Sequence, residues 1–461
     1  MRASGATIHH QNLGLFTDLY ELTMAQAFYQ QEMFAPATFS LFIRSYPPNR
    51  AYFVSAGLED VLDYLESLKF GADSLGYLRS TGIFAEDFLD FLGGLRFTGS
   101  VRAIPEGRLF FVNEPVLEVT APIIEAQIAE TFIINQVNFQ TLLATKASRC
   151  VRAAQGRPLA DFASRRTHGT DAALKMARCS YIGGFQSTSN VMAAREYGIP
   201  PSGTMAHSFV SSFPTEKESF RAYARSFPDQ TILLLDTYDT IKGAWHAVDI
   251  AREMEYLNHQ LVAVRLDSGD FAKLSRRVRR MLDDAGLDYV KILASGGLDE
   301  YEIEELVQGG APIDMFGVGT RVGVSADAPW TDMAYKMVDY DHRPVMKLSE
   351  GKAYLPGDKQ VFRLRDPQGN FSGDIIGRFQ EDLSGREALL HPVMIGGHRS
   401  TPTPALKEIR ETLEDELSHL ADQHQLLYNP SHYPVSISDN LQRLAAQVKH
   451  EIASAEGFSG D

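Results

Sequence analysis

From about residue 159 onward, short apolar runs recur along the chain at a spacing of roughly twenty to thirty residues, and most close on small or charged residues. Runs starting near Leu159, Tyr181, Gly203, Thr231, Leu261, Val290 and Asp314 read as strands, with helical patterns between most of them. Strands that alternate with helices imply a parallel sheet, and about seven such units suit a closed barrel better than an open sheet. The pattern is clearest from Leu261 to Leu266, an apolar run that ends in Asp267-Ser268-Gly269-Asp270. A second run, Tyr289 to Ala294, ends in Ser295-Gly296-Gly297, and Asp314-Met315-Phe316-Gly317-Val318-Gly319-Thr320 follows soon after. A parallel α/β barrel carries its active site at the C-terminal strand ends, and its last loops commonly hold phosphate. N–H groups at the following helix N-termini favour anions, and glycine lets a phosphate approach closely. The pattern therefore points to a phosphorylated substrate.

Before this repeat the periods are mixed. Residues 17–31 form a helical pattern with Thr17 as N-cap and Asp18 at the positive end of the dipole. A strand is expected over 38–43, short helices near 55–67, 74–80 and 85–92, strands near 100–104 and 115–120, and a long helix over 122–147. After Val345 the repeat breaks. Turn signals at Gly351, Pro356-Gly357-Asp358 and Pro367-Gln368-Gly369-Asn370 imply a hairpin-rich insert. Amphipathic helices are expected over 405–425 and 441–452, and the tail from Ser454 reads as mobile. Neither flank shows a complete core. The expected fold is α/β: an irregular TIM-like α/β barrel over residues 123–345, with a flanking α+β domain built from residues 1–122 and 346–461.

Composition narrows the class. The chain has 461 residues, 44% hydrophobic and 22% charged, the balance of a soluble globular protein with ample core. No run of uncharged apolar residues is long enough to span a membrane, and residues 1–11 lack the pattern of a signal peptide. Two cysteines, Cys150 and Cys179, argue against a disulfide framework or a cysteine zinc site and fit a reducing cytoplasm. The net charge of −15 disfavours binding to nucleic acid or an anionic membrane, so an anionic ligand needs local cations.

Four groups carry the candidate chemistry. Arg165 and Arg166, in Asp161-Phe162-Ala163-Ser164-Arg165-Arg166-Thr167-His168-Gly169, follow a strand and suit a carboxylate or phosphate. The plainer reading is a solvated basic turn. His207, in Gly203-Thr204-Met205-Ala206-His207-Ser208, is an acid, base or nucleophile at a strand end, or a hydrogen-bonded structural histidine. Asp236 and Asp267 close strands and suit Mg²⁺ or ribose hydroxyls; helix capping is the alternative, above all for Asp270. Arg265 is a charge inside an apolar strand. It is either a clamp for an anionic substrate or half of an internal salt bridge to a neighbouring strand's Asp.

Five motifs in order sharpen this: Thr17-Asp18-Leu19-Tyr20-Glu21-Leu22-Thr23-Met24, Arg165-Arg166-x-His168-Gly169, Gly203 to Ser208, Val264-Arg265-Leu266-Asp267-Ser268-Gly269-Asp270, and Gly317-Val318-Gly319-Thr320. Together they resemble nicotinate phosphoribosyltransferase, over about residues 15 to 365 and only loosely beyond about 370. The resemblance implies a barrel-like type II phosphoribosyltransferase with a flanking α/β domain. Such an enzyme forms nicotinate mononucleotide from nicotinate and phosphoribosyl pyrophosphate and couples this to ATP hydrolysis. It implies a homodimer with a site between subunits. By matching position, His207 is the histidine that ATP phosphorylates, and Tyr20 stacks on the pyridine from the partner. Arg265 meets nicotinate with Thr204 beside it, and Ser268 and Gly269 lie in the same substrate-binding motif. Gly319 and Thr320 form the ribose-phosphate loop, with Ser295, Gly296 and Gly297 the adjoining one. Arg165 or Arg166 meets pyrophosphate or the carboxylate, and Asp236 and Asp267 are the metal candidates for Mg²⁺. Some archaeal relatives carry a C-terminal zinc knuckle, which cysteines at 150 and 179 cannot build.

Three alternatives stay open. A nicotinamide enzyme of the same chemistry would place a carboxylate near the amide, and Gly183 to Asn190 has none. A phosphate-binding lyase or isomerase would need a strand-tip lysine or carboxylate base. A non-catalytic relative would be expected to lose His207 or Arg265, and both are present.

Overall fold

The computed structural model describes residues 10–349 and 354–457; the turn expected at Gly351 and the end of the tail lie outside them. The chain forms two compact units, one of residues 1–142 with 330–461, the other of residues 143–329.

In the first unit the strand Pro36–Ile43 lies inside an antiparallel sheet, between Met333–Tyr340 and Leu117–Pro122. Both faces of Pro36–Ile43 are buried, so its polar residues need partners. Thr38 meets the Thr120 hydroxyl at 2.9 Å, and Ser40 donates to Glu118 at 2.5 Å. The strand His391–Ile395 joins the same sheet by pairing with Ser100–Ala103. The expected hairpin forms as Lys359–Arg365 against Phe371–Arg378, around Gly369 at φ 90°. The last helix, Asp439–Glu456, continues through Ser454, where the sequence reads as a mobile tail.

The units divide at 142/143 and 329/330, not at the expected 122/123 and 345/346. Packing explains both shifts. The helix expected over 122–147 is two, Ile123–Ile128 and Glu130–Ala154, and Ile123, Phe132, Ile133 and Val137 belong to the first unit's core. Met333–Tyr340 looks in sequence like the end of the repeat, but it pairs along the whole of Ala37–Ile43.

The second unit holds a parallel sheet of six strands, in the order Ser187–Thr188, Leu159–Asp161, Met315–Val318, Lys291–Ser295, Ala263–Leu266 and Ile232–Leu234. The α/β class is as expected, with strands and helices in alternation. The strand expected at Tyr181 is helix, Thr170–Ile182, and its place is taken by Ser187–Thr188. The strand expected at Gly203 does not form. Pro200 and Pro201 have no N–H to donate, so pairing there shrinks to one bridge, Thr188 with Pro201. The Thr188 N–H donates to Pro200 and the Ser202 N–H to Thr188, and the ladder stops. Among the described residues the hydrogen-bonded barrel is therefore open between Ser187–Thr188 and Ile232–Leu234. The irregular segment that carries Thr204 and His207 follows that break.

Candidate active site

Parallel register brings the strand ends level: Leu234 lies beside Arg265, Arg265 beside Leu293, and Ser295 beside Gly317. Two glycines make this packing feasible. A Cβ on Gly296 would lie 2.1 Å from the Asp267 carbonyl oxygen, and one on Gly317 would lie 2.4 Å from the Phe162 ring. A cavity of about 410 Å³ opens at these ends, of a size that suits a small ligand.

Arg265 is held from three sides. Its Nε donates to Ser295 Oγ at 2.8 Å, and Nη2 donates to Asp267 Oδ1 at 2.6 Å. Nη1 donates to Thr204 Oγ1 at 3.0 Å and to the Met205 carbonyl at 3.3 Å. One Nη2 N–H remains for a ligand. The internal salt bridge thus exists, but its partner is Asp267 at the tip of Arg265's own strand. The Phe162 ring centroid lies 5.6 Å from the guanidinium. Asp267 also accepts from the Ser295 hydroxyl. Burial pushes the Asp267 carboxyl up, but Ser295, Arg265 and the nearby His207 outweigh it and hold it below the ordinary value.

His207 begins the short helix His207–Ser211. Its Nδ1 lies 3.1 Å from Thr237 Oγ1 and its Nε2 lies 3.7 Å from Asp267 Oδ2. The ring is half exposed and open to solvent. Asp236 accepts from the Ser268 hydroxyl through one oxygen, while its other oxygen is buried without a hydrogen-bond partner among the described residues. Asp270 and Asp239 are helix caps, accepting from the Lys273 and Lys242 N–H groups, so the plainer reading holds for them.

The cavity gathers Arg165, Thr204, His207, Arg265 and Asp267. Ser295 sits behind it as a partner of Arg265, while Asp236 and Ser268 bond to each other at the next strand ends. Gly269, Gly296 and Gly297 occupy left-handed backbone at φ 88°, 104° and 69°. Gly319 caps the turn that Thr320 begins. Of the arginine pair Arg165 lines the cavity; Arg166 is exposed and does not. Tyr20 belongs to the first unit, half exposed at the start of Leu19–Gln30, and does not line this cavity. The sequence gives no role to Phe162, Ser164 or Thr237, although the first two stand within the Asp161–Gly169 run and Thr237 directly follows Asp236. Adjacency to Arg165 and Asp236 was the available signal. Ser164 Oγ is buried and unpaired among the described residues. Asp161, fully buried, accepts from the Ala163 N–H at 2.8 Å and the Thr188 hydroxyl at 2.7 Å, which anchors the arginine loop. A second cavity, of about 330 Å³ in the first unit, contains none of the expected site residues.

Strand ends that carry Arg165 and Arg265, a half-exposed histidine and glycine loops are chemically suited to anionic ligands, on an α/β scaffold. Three family descriptions match the chain: the nicotinate phosphoribosyltransferase N-terminal domain over residues 15–138, the family itself over 158–346, and the C-terminal domain over 384–445. The last match lies where the motif resemblance is loose. Nicotinate phosphoribosyltransferase pncB2 of Mycobacterium tuberculosis is 48% identical over 443 residues, covering 95% of each chain. The Bacillus subtilis nicotinate phosphoribosyltransferase is 37% identical, covering 96% of each. The crystal structure of human nicotinic acid phosphoribosyltransferase superposes with a TM-score of 0.85 at 29% identity, covering 94% of this chain and 99% of that one. The chain belongs to the nicotinate phosphoribosyltransferase family and is an enzyme of it.

Proposed function

We propose that the chain forms nicotinate mononucleotide and pyrophosphate from nicotinate and phosphoribosyl pyrophosphate, a step of NAD biosynthesis, and couples it to ATP hydrolysis through a phosphohistidine at His207. The observation that carries the coupling is a half-exposed imidazole, oriented by Thr237 and facing Asp267, in the same cavity as Arg265. In the transfer, the bond from the anomeric carbon to pyrophosphate breaks and a bond to the pyridine nitrogen forms. That nitrogen already has a lone pair, so no strong general base is needed. Charge builds on the departing pyrophosphate, where Arg165 stabilises it, while positioning brings the two reactants into line. In the coupled step a lone pair of the His207 ring attacks the γ-phosphorus and ADP leaves; water then attacks the phosphorus, the N–P bond breaks, and inorganic phosphate departs as the imidazole is restored.

The nicotinate carboxylate takes the remaining N–H of Arg265, with Arg165 as the second cation of the cavity. Gly319 and Thr320, with Ser295 to Gly297 adjoining, take the ribose phosphate; Ser268 and Gly269 bind substrate beside them. Among the described residues no group of three His, Cys, Asp or Glu side chains is placed to hold a metal. Mg²⁺ commonly takes one or two carboxylates and substrate phosphates, and the unpartnered oxygen of Asp236 fits that role better than Asp267, whose Oδ1 is occupied. When bound, the ion would supply positive charge to the leaving diphosphate. Tyr20 stacks on the pyridine from the second subunit of a homodimer. Cys150 and Cys179 are both buried, and so sparse a cysteine content suits a reducing cytoplasm.

The test is a product assay with labelled nicotinate, phosphoribosyl pyrophosphate and ATP, with nicotinamide as competitor. Nicotinate should be preferred by about a hundredfold or more, equivalent to about 2.7 kcal/mol. Wild-type protein should take up acid-labile label from γ-labelled ATP. His207→Ala should take up none and lose ATP hydrolysis, while a slow ATP-independent transfer survives. Equal use of the two pyridines sinks the substrate reading; ATP hydrolysis in step with product by His207→Ala sinks the coupling.

A further inference from the structure

The two glycine loops have little in them to hold their own shape. Gly296 and Gly297 occupy left-handed backbone, and Gly319 lies at φ −132° and ψ −102°, outside the regions open to residues with side chains. Such segments lose much conformational freedom when ordered, so a preorganised anion site built from them needs anchors outside the loops. Near each loop stands a charged residue that faces the other: Asp299, two residues after Gly297, and Arg321, directly after Thr320. Asp299 caps the helix Glu300–Gln308, accepting from the Tyr301 N–H at 3.0 Å. Glu302 closes the capping box, its Oε2 accepting the Asp299 N–H at 3.2 Å. The other oxygen of Glu302 accepts from Nη1 of Arg321, the residue after Thr320. Asp299 Oδ2 lies 3.7 Å from the same nitrogen. One carboxylate therefore spans the ends of both loops. Behind it, the buried Lys146 Nζ lies 2.6 Å from Glu300 and 2.6 Å from Asp327, which joins the same helix start to the segment after Thr320–Gly323.

We propose that Glu302 and Arg321 are positioning residues that lock the Ser295–Gly297 and Gly319–Thr320 loops to each other, so that both present their N–H groups to one ribose phosphate. This rests on the assignment of those loops under the proposed function. Neither side chain touches the reacting atoms. Arg321 alone looks like a phosphate ligand, but two carboxylates already face its Nη1, so its charge is committed within the protein. Burial works against the Glu302 carboxylate, yet the bonds from Asp299 and Arg321 hold it below its ordinary value, so it stays ionised at neutral pH.

The two roles for Arg321 predict opposite signs. Initial rates of the full-length enzyme are measured against phosphoribosyl pyrophosphate and against nicotinate separately, with thermal unfolding as a check of the fold. If the clamp positions the loops, Glu302→Gln raises KM for phosphoribosyl pyrophosphate by about five- to twentyfold and shifts KM for nicotinate by less than about twofold. Arg321→Lys should recover most of the loss seen in Arg321→Ala, and Glu302→Gln combined with Arg321→Ala should be no worse than Arg321→Ala alone. A fall in KM for phosphoribosyl pyrophosphate in Glu302→Gln overturns the proposal, because it means that Glu302 restrains an arginine that binds phosphate itself. An unchanged KM overturns it too. Arg321 is partly exposed, so Arg321→Ala tests the same contact if Glu302→Gln loses its fold. A wild-type protein that makes no product from phosphoribosyl pyrophosphate sinks the functional reading itself; an active wild type with unaffected variants sinks only the clamp.

Discussion

Arg265 has four of its five N–H groups committed to Ser295, Thr204, Met205 and Asp267. A buried guanidinium without partners would be costly, and this one is not in that state. Its attraction for a carboxylate is therefore moderated by Asp267, and what the network provides is direction: a single N–H held in a fixed place. Ser295 is the hinge of that arrangement, because one hydroxyl accepts from Arg265 and donates to Asp267. Removing it should loosen the arginine without emptying the cavity. Ser295→Ala should lower kcat/KM for nicotinate by about ten- to a hundredfold, the usual worth of a hydrogen bond to a charged group, while the melting temperature changes little. Steady-state kinetics beside a thermal scan separate the two. A loss confined to stability would make Ser295 a packing residue.

At the level of elements, strand ends decide which residues meet. Gly296 leaves no room for a side chain, because a Cβ there would press on the Asp267 carbonyl. Gly296→Ala adds a left-handed strain to that clash and should push the two loops apart, lowering kcat/KM about a hundredfold or more. Normal kinetics with a lowered melting temperature would show that the loops absorb the shift elsewhere. The βα repeat itself was legible from Leu261 to Thr320, because apolar runs with glycine ends are local features. The segment at Gly203 departs from the strand its sequence predicts, because its outcome depends on the two prolines before it and on how little edge Ser187–Thr188 offers. Met333–Tyr340 reads in sequence as part of the barrel domain because its pairing partner is nearly three hundred residues away in sequence, beyond any periodic signal. The site follows the same division. His207, Arg265 and Asp267 declare themselves by type and position, whereas Phe162 and Thr237 acquire a place only when register brings other strands beside them.

At the scale of the molecule, the first unit carries features that a catalytic cavity in the second does not explain. Glu21 is fully buried in it, accepting from the Thr131 hydroxyl at 2.9 Å, and burial pushes its carboxyl up to about 8. A carboxyl raised in the folded state contributes stability that is fully present below its unfolded value and is lost as pH rises through the folded one. Stability should therefore decline from roughly pH 4.5 to pH 8, and Glu21→Gln, which cannot ionise, should gain in melting temperature relative to wild type as pH rises across that window. A difference that does not change with pH would clear Glu21 of this role. Beside it, Tyr20 stands half exposed at a helix start, its hydroxyl pushed up by burial and by Glu130. An aromatic that is exposed on its own chain is available to another. If Tyr20 serves the partner's cavity, Tyr20→Ala and Arg265→Ala chains should each be inactive alone. After mixing and subunit exchange, half of the dimers are mixed, and each mixed dimer holds one site with both residues intact. Activity should return to about a quarter of wild type. A site completed within one chain leaves no intact site in any of these dimers, so absence of rescue with mixed dimers confirmed by mass would place Tyr20 outside the shared site.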